Sequence, residues 1–284
     1  MTNHVVVGFD SSPSSTEAVE WAALEAVARK SPLRIVACYE FPMAAGAGAA
    51  WLSSDVITSI QECTAEAAAS ILAAVTARHP DLQVDVAVHP GPPRTTLIGG
   101  LLPNDLLVIG TSSHGGAAGF WLGSTSRWAT RHSPCPVAVV RGAASRGNPD
   151  RVVVGVDRSA ASDAALLWAA DEADLHGVDL LIVHAWDYAD AGVDTHAEQV
   201  RDLTRIDAAT VLDRATECAR ERCGVTVKDV LVEGRAATAL LASVRDGDLL
   251  VLGAQGRGAI AAGLLGSTVN DVVEQSTAPV VVIR

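Results

Sequence analysis

The apolar run DLLVLG (248–253) is followed by Gly253-x-x-Gly256-x9-Gly266-Ser267, with five glycines in the fourteen residues 253–266. A buried strand that runs into a glycine-rich loop and then a helix can cradle a phosphate. The glycines let backbone N–H groups approach the oxygens, and the helix N-terminus adds partial positive charge. Ser267 and Thr268 offer hydroxyl donors where that helix begins. The same construction stands earlier in the chain as GTSSHGGAAGFWLGSTS (110–126), where Gly110, Gly123, Ser124, Thr125 and Ser126 hold the corresponding places. This is neither a P-loop nor a dinucleotide fingerprint. The chain has two lysines, Lys30 and Lys228, and neither lies in a glycine-rich loop, so G-K-[ST] chemistry is missing. Both loops also follow a fourth strand rather than a first one.

The duplication extends to the whole sequence. HVVVGFD (4–10) returns as RVVVGVD (151–157) and LRIVACYE (33–40) as LLIVHAWD (180–187), both offset by 147. DLLVIG (105–110) returns as DLLVLG (248–253) and CPVAVVR (135–141) as APVVVIR (278–284), both offset by 143. Ordered matches of this kind define a tandem repeat. The expected organisation is a first domain over 1–141, a linker over 142–150 rich in Gly, Ser, Asn and Pro, and a second domain over 151–284.

In the first copy, Val/Ile/Leu-rich strands are expected at 4–9, 33–39, 82–89, 105–110 and 135–141, with helical stretches between them. SSP (11–13) supplies a serine N-cap and a proline at the first helical position. Alternating buried strands and helices predict an α/β fold, two tandem doubly wound domains. Each is a five-stranded parallel sheet of order 3-2-1-4-5 flanked by helices. Such sheets bind ligands beyond the carboxyl ends of the strands where the order reverses, here between strands 1 and 4. Strand 1 ends in Asp10 or Asp157, each followed two residues later by a serine, Ser12 or Ser159. Those aspartates are read as ligand contacts, with a helix-capping role as the alternative.

The V-G-x-D strand end, the G-x-x-G-x9-G-[ST] loop and the closing strands CPVAVV and APVVVI together resemble the universal stress protein family in its tandem form. The resemblance implies a domain that binds ATP, with magnesium, and pairs through its last strand. Carried onto this sequence, it puts Asp157 by the adenosine and Gly253, Gly256, Gly266 and Ser267 on the phosphates. The first-copy equivalents are Asp10, Gly110, Gly123, Ser124 and Ser126. Ala185 and Cys38, near the end of strand 2, would line the adenine, and Arg257, like His114 aligned with it, could meet a terminal phosphate. The adjoining Ser11, Thr125 and Arg158 complete the candidate set. Ser113 stands where the second copy has Gly256. If that position needs a positive φ, the serine costs about 1 kcal/mol. The second copy in turn has Val269 for Ser126 and loses a hydroxyl, so two similar but unequal sites are expected.

Composition bounds the function from outside. A net charge of −12 argues against binding nucleic acid or an anionic membrane surface. No run of eighteen apolar residues suggests a membrane span, and MTNHVVVGFD lacks the features of a signal peptide. Five cysteines without C-x-x-C spacing read as reduced structural thiols of a cytoplasmic protein. His132 reads as a helix C-cap and His184 as a packed histidine at a strand end. The expected function is a nucleotide-dependent regulator of stress response or growth, with at most slow ATP hydrolysis and no catalytic or metal-ligand residue assigned. The alternatives are an adenine-nucleotide-using enzyme of the wider α/β group and a ligand-free interaction module. Apolar closing strands at a sheet edge suggest that the two copies pair with each other and that whole chains form a homodimer.

Overall fold

The computed structural model describes residues 3–40, 54–111, 123–142, 148–187, 197–256 and 265–284. The chain divides into two compact units, Met1–Val140 and Arg141–Arg284. The first contains β1 (Val5–Phe9), α1 (Pro13–Arg29), β2 (Leu33–Tyr39), α2 (Ser54–Arg78) and β3 (Val84–Pro90). It continues with α3 (Pro93–Gly99), β4 (Leu106–Gly110), α4 (Ser124–His132) and β5 (Val137–Val140). The second repeats this as β6 (Arg151–Gly155), α5 (Ala160–His176), β7 (Asp179–Trp186), α6 (Ala197–Arg222) and β8 (Val227–Glu233). Its remaining elements are α7 (Ala236–Ser243), β9 (Asp248–Gly253), α8 (Ser267–Gln275) and β10 (Val280–Ile283).

Within each unit the strands are parallel and ordered 3-2-1-4-5: β3-β2-β1-β4-β5 in the first, β8-β7-β6-β9-β10 in the second. Their continuous apolar runs follow from burial on both faces. Leu33, Ile35, Leu106 and Leu107 are completely enclosed in one core, as are Leu180, Ile182, Leu249 and Leu250 in the other. The outer strands β3 and β8 are partly exposed and carry cross-strand ion pairs to their neighbours, Arg34–Asp85 and Lys228–Asp179. Among the described residues no helix is long and apolar enough to cross a membrane. All five cysteines are free thiols, and burial raises the pKa of Cys135.

The helix after each first strand is nucleated as its sequence predicts. Ser12 and Ser159 sit at the N-cap, and their hydroxyl oxygens accept the Ser15 and Ser162 N–H groups, both at 3.1 Å. At the other end the two copies differ. α5 stops at Gly177, with φ 65°, whereas α1 stops at Lys30, with φ 52°. A left-handed C-cap suits glycine, and any other residue there costs on the order of 1 kcal/mol. Lys30→Gly is therefore expected to stabilise the first unit by about 0.5–1 kcal/mol, and Gly177→Ala to destabilise the second by about as much. Urea denaturation of the two variants checks both signs.

Candidate functional site

The polypeptide leaves β1 and β6 through the same turn. Asp10 Oδ1 accepts the Ser12 N–H and Asp157 Oδ1 accepts the Ser159 N–H, each at 3.0 Å. The residues between them, Ser11 and Arg158, are held at φ 65° and 66°. Such left-handed non-glycine positions are uncommon, and here the aspartate's bond to the backbone two residues on stabilises them. The helix caps are Ser12 and Ser159, so the aspartates do not cap the helices themselves: one carboxylate oxygen in each copy fixes the turn before the cap.

Burial raises the Asp10 carboxyl, but hydrogen bonds from the side chains of Ser12 and Ser15 and from nearby backbone N–H groups together hold it below the usual carboxylate range. A carboxyl lowered on folding contributes stability above its unfolded pKa and loses it as pH falls through the folded value. The first unit should therefore weaken on acidification below about pH 4. Asp10→Asn, which keeps the accepting oxygen and removes the charge, should flatten that acid limb in thermal melts between pH 2 and 6, windows set by the carboxyl range of about 4.

The glycine-rich loops meet this turn. In the second unit the Ser159 hydroxyl donates to the Gln255 carbonyl at 3.1 Å, and Gly266 N–H donates to Ala254 O at 3.0 Å. A β-carbon placed on Gly256 would lie 2.6 Å from Asp157 Oδ2. Gly256 does not have a positive φ, which corrects the conformational reason expected for it: glycine there leaves the space that the end of the Asp157 side chain occupies. Gly253 and Gly110 serve a different contact. β-Carbons there would lie 2.5 Å from Ala161 C and from Ser14 O, in the first turns of α5 and α1. These two glycines line the clefts, but their missing side chains admit a helix.

α8 and α4 begin at Gly266 and Gly123, and neither has a side-chain cap or an acidic residue in its first turn. Their leading N–H groups and positive dipole ends are thus available to an anion. Ser126 Oγ is engaged, donating to Gly110 O at 2.8 Å, and the aligned Val269 is buried. The hydroxyl that seemed to distinguish the two loops at this position ties α4 to the end of β4.

In each unit the described candidate residues other than Ser11 and Ser159 line one cleft. The second encloses about 640 Å³ and is lined by Asp157, Arg158, Ala185, Gly256, Gly266, Ser267 and Thr268, among others. The first encloses about 240 Å³ and is lined by Asp10, Ser12, Cys38, Gly110, Gly123, Ser124 and Thr125, among others. Burial raises the Cys38 thiol pKa, the Thr96 side chain opposing it, so Cys38 is a neutral lining group. Ser11 shapes the turn and Ser159 clamps the loop. Ser113, His114, Arg257, Gly258 and Gly263 lie outside the described residues.

Sequence reasoning missed what α6 and α7 supply. Thr204, Asp207 and Ala208 form one wall of the second cleft and Ala236 and Leu240 another. Arg158 crosses to Asp207 through two hydrogen bonds, one of 3.1 Å from its Nη1 and a second from Nη2 to the other carboxylate oxygen. Only the helical spacing of Thr204, Asp207 and Ala208 signals that these residues share a face. His184 is buried and lines the cleft, its Nδ1 2.6 Å from Val156 O. Because a carbonyl can only accept, Nδ1 carries the proton. His132 ends α4, with Nδ1 2.9 Å from Trp128 O and its ring stacked on Trp128.

Two doubly wound domains, each with a cleft where the strand order reverses, define a tandem α/β protein of the kind that places its ligand site at that reversal. The model of the universal stress protein family matches residues 1–141 and again 149–284, and the chain belongs to that family in tandem form. Universal stress protein Rv2623 of Mycobacterium tuberculosis is 31% identical over 303 residues, which cover 99% of this chain and 96% of that protein. A universal stress protein of Mycolicibacterium smegmatis is 29% identical over 291 residues, with the same coverage of 99% and 96%. Among solved structures, a universal stress protein from Archaeoglobus fulgidus aligns with a TM-score of 0.69 at 20% identity, covering 100% of this chain and 99% of that one. That likeness concerns the fold.

Proposed function

We propose that this universal stress protein binds ATP, with magnesium, in the cleft between the first and fourth strands, and acts as a nucleotide-dependent regulator of stress response or growth. The observation that carries the reading is the convergence of three groups: the strand-end aspartate, the glycine that makes room beside it, and the uncapped Gly-Ser helix start. Ala185 supplies an apolar wall for a base, Asp157 an acceptor for a nucleoside hydroxyl or amino group, and the first turn of α8 donors for phosphate. In a chain of net charge −12, magnesium would offset the repulsion a triphosphate meets. Occupancy would stabilise the liganded state by mass action, and a partner would read that state.

Mass spectrometry of small molecules released from freshly purified, denatured protein tests the reading, together with calorimetric titration by ATP, AMP and cyclic AMP. Adenine nucleotide is expected in the released fraction and as a titrating ligand. Absence of binding by all three to the full chain would overturn the proposal. Product analysis with ATP and magnesium should give at most slow hydrolysis; rapid turnover would favour the enzyme alternative. As part of the same proposal the protein is cytoplasmic and the chain forms a homodimer, which light scattering checks.

A further inference from the structure

We infer that the two clefts have diverged in what they can hold, and that the chain takes its nucleotide in the second unit alone. This rests on the proposed nucleotide binding and decides which half performs it. Small-molecule sites commonly enclose about 300–1,000 Å³. The second cleft, at about 640 Å³, lies well inside that range, and the first, at about 240 Å³, lies below it.

Side chains at aligned positions account for the difference. Phe9 stands where the second copy has Val156, Cys38 where it has Ala185, and Pro93 where it has Ala236. All six line their respective clefts, and at each of the three positions the first copy has the larger residue. They come from three elements: the end of the first strand, the second strand and the third helix of the unit. The shrinkage therefore acts on several walls around the region an adenosine would occupy.

One aligned pair runs the other way. The second copy has His184 where the first has Ala37, the register partner of Phe9 in β1. This exchange offsets the one at Phe9 and Val156, since a large residue on the first strand faces a small one on the second and the reverse holds in the other unit. The net shrinkage therefore comes from Cys38 and Pro93. Phe9 and Ala37 leave hydrocarbon at that place, whereas His184 lines the larger cleft with an imidazole oriented by the Val156 carbonyl. Charge differs as well. The second cleft is lined by the Arg158–Asp207 ion pair, and the residue aligned with Arg158 in the first copy is the uncharged Ser11.

The first-strand turns also carry different hydroxyl contacts. Ser159 donates its hydroxyl to the Gln255 carbonyl and so ties the first-strand turn to the glycine-rich loop. In the first unit the Ser12 hydroxyl lies 3.2 Å from that of Ser14, a residue the second copy replaces with Ala161.

The test uses the full chain. Calorimetric titration with ATP and magnesium should give a stoichiometry of about one per chain, as expected when only one cleft reaches the size of about 300 Å³ or more. Ala185→Trp, which fills the second cleft, should abolish that heat. A photoreactive azido-ATP cross-linked to the unmodified protein and mapped by peptide mass spectrometry should label peptides from 151–284; this arm needs no variant to fold. A stoichiometry near two, binding that survives Ala185→Trp, or labelling in 1–141 would overturn the inference while leaving nucleotide binding intact. Failure of ATP, AMP and cyclic AMP to bind at all would overturn both.

Discussion

Gly253→Ala is expected to destabilise the second unit by about 2–3 kcal/mol, and Gly110→Ala the first by a similar amount. A β-carbon on Gly253 would come within 2.5–2.8 Å of Ala161 C, Ala161 O and Ser162 N, and one on Gly110 within 2.5–3.1 Å of Ser14 O, Ser14 C and Ser15 N. The obstructing atoms are backbone, so a rotamer change cannot relieve them. The first turn of α5 or α1 must instead lift from the strand it covers. That turn carries the Ser159 or Ser12 cap and the aspartate turn before it, so the displacement also loosens hydrogen bonds that hold the helix start. Burial adds to the cost, because Ala165 and Ala169 on α5 and Ala18 and Ala22 on α1 are fully enclosed and leave no slack for a helix to shift. Urea denaturation of each variant, followed by far-ultraviolet circular dichroism, measures the loss. A change below about 0.5 kcal/mol would show that helix and strand separate without resistance, contrary to close packing.

This reading separates two uses of glycine that look alike in sequence. The G-x-x-G-x9-G-[ST] pattern marks where backbone needs room, and the recurrence of its first and last glycines in both copies marks the place as built. It does not say what occupies the room. At Gly253 and Gly110 the occupant is a helix, and at Gly256 it is the Asp157 carboxylate. The fold was more readable because its signals are local. Apolar strands, a Ser-Pro helix start and a repeated strand-loop-helix order specify two parallel α/β domains without knowledge of any distant contact. The short helices α3 and α7, with seven and eight residues, are too brief to set up a clear period. Their contribution to the clefts, through Pro93 and Leu97 or Ala236 and Leu240, therefore became visible only once the sheet placed them. The wall supplied by α6 was hidden for the related reason that Asp207 meets Arg158 across 49 residues of sequence.

Gly256→Ala should reduce affinity for an adenine nucleotide by about 10- to 100-fold while changing stability by less than about 1 kcal/mol. The added β-carbon would collide with Asp157 Oδ2, the far end of a side chain, at 2.6 Å. The carboxylate can rotate away at little cost to the fold. In doing so it abandons the position from which it faces the cleft and weakens its bond to the Ser159 N–H. A hydrogen bond to a charged group is worth about 1.5–3 kcal/mol, which sets the expected loss of affinity. Replacing a glycine whose φ is not positive also restricts the unfolded chain, an effect of about 0.4–1 kcal/mol that offsets part of the displacement. The pair of variants thus forms a control on itself: Gly253→Ala should act mainly on unfolding and Gly256→Ala mainly on the titration. An equal loss of stability in both would mean that Gly256 is a structural contact like Gly253 and that Asp157 cannot yield. Unchanged affinity in a folded Gly256→Ala protein would remove the carboxylate's position from the set of contacts that bind nucleotide. The first copy already has Ser113 at the aligned position, so the natural sequence places a side chain there in the unit whose cleft is smaller.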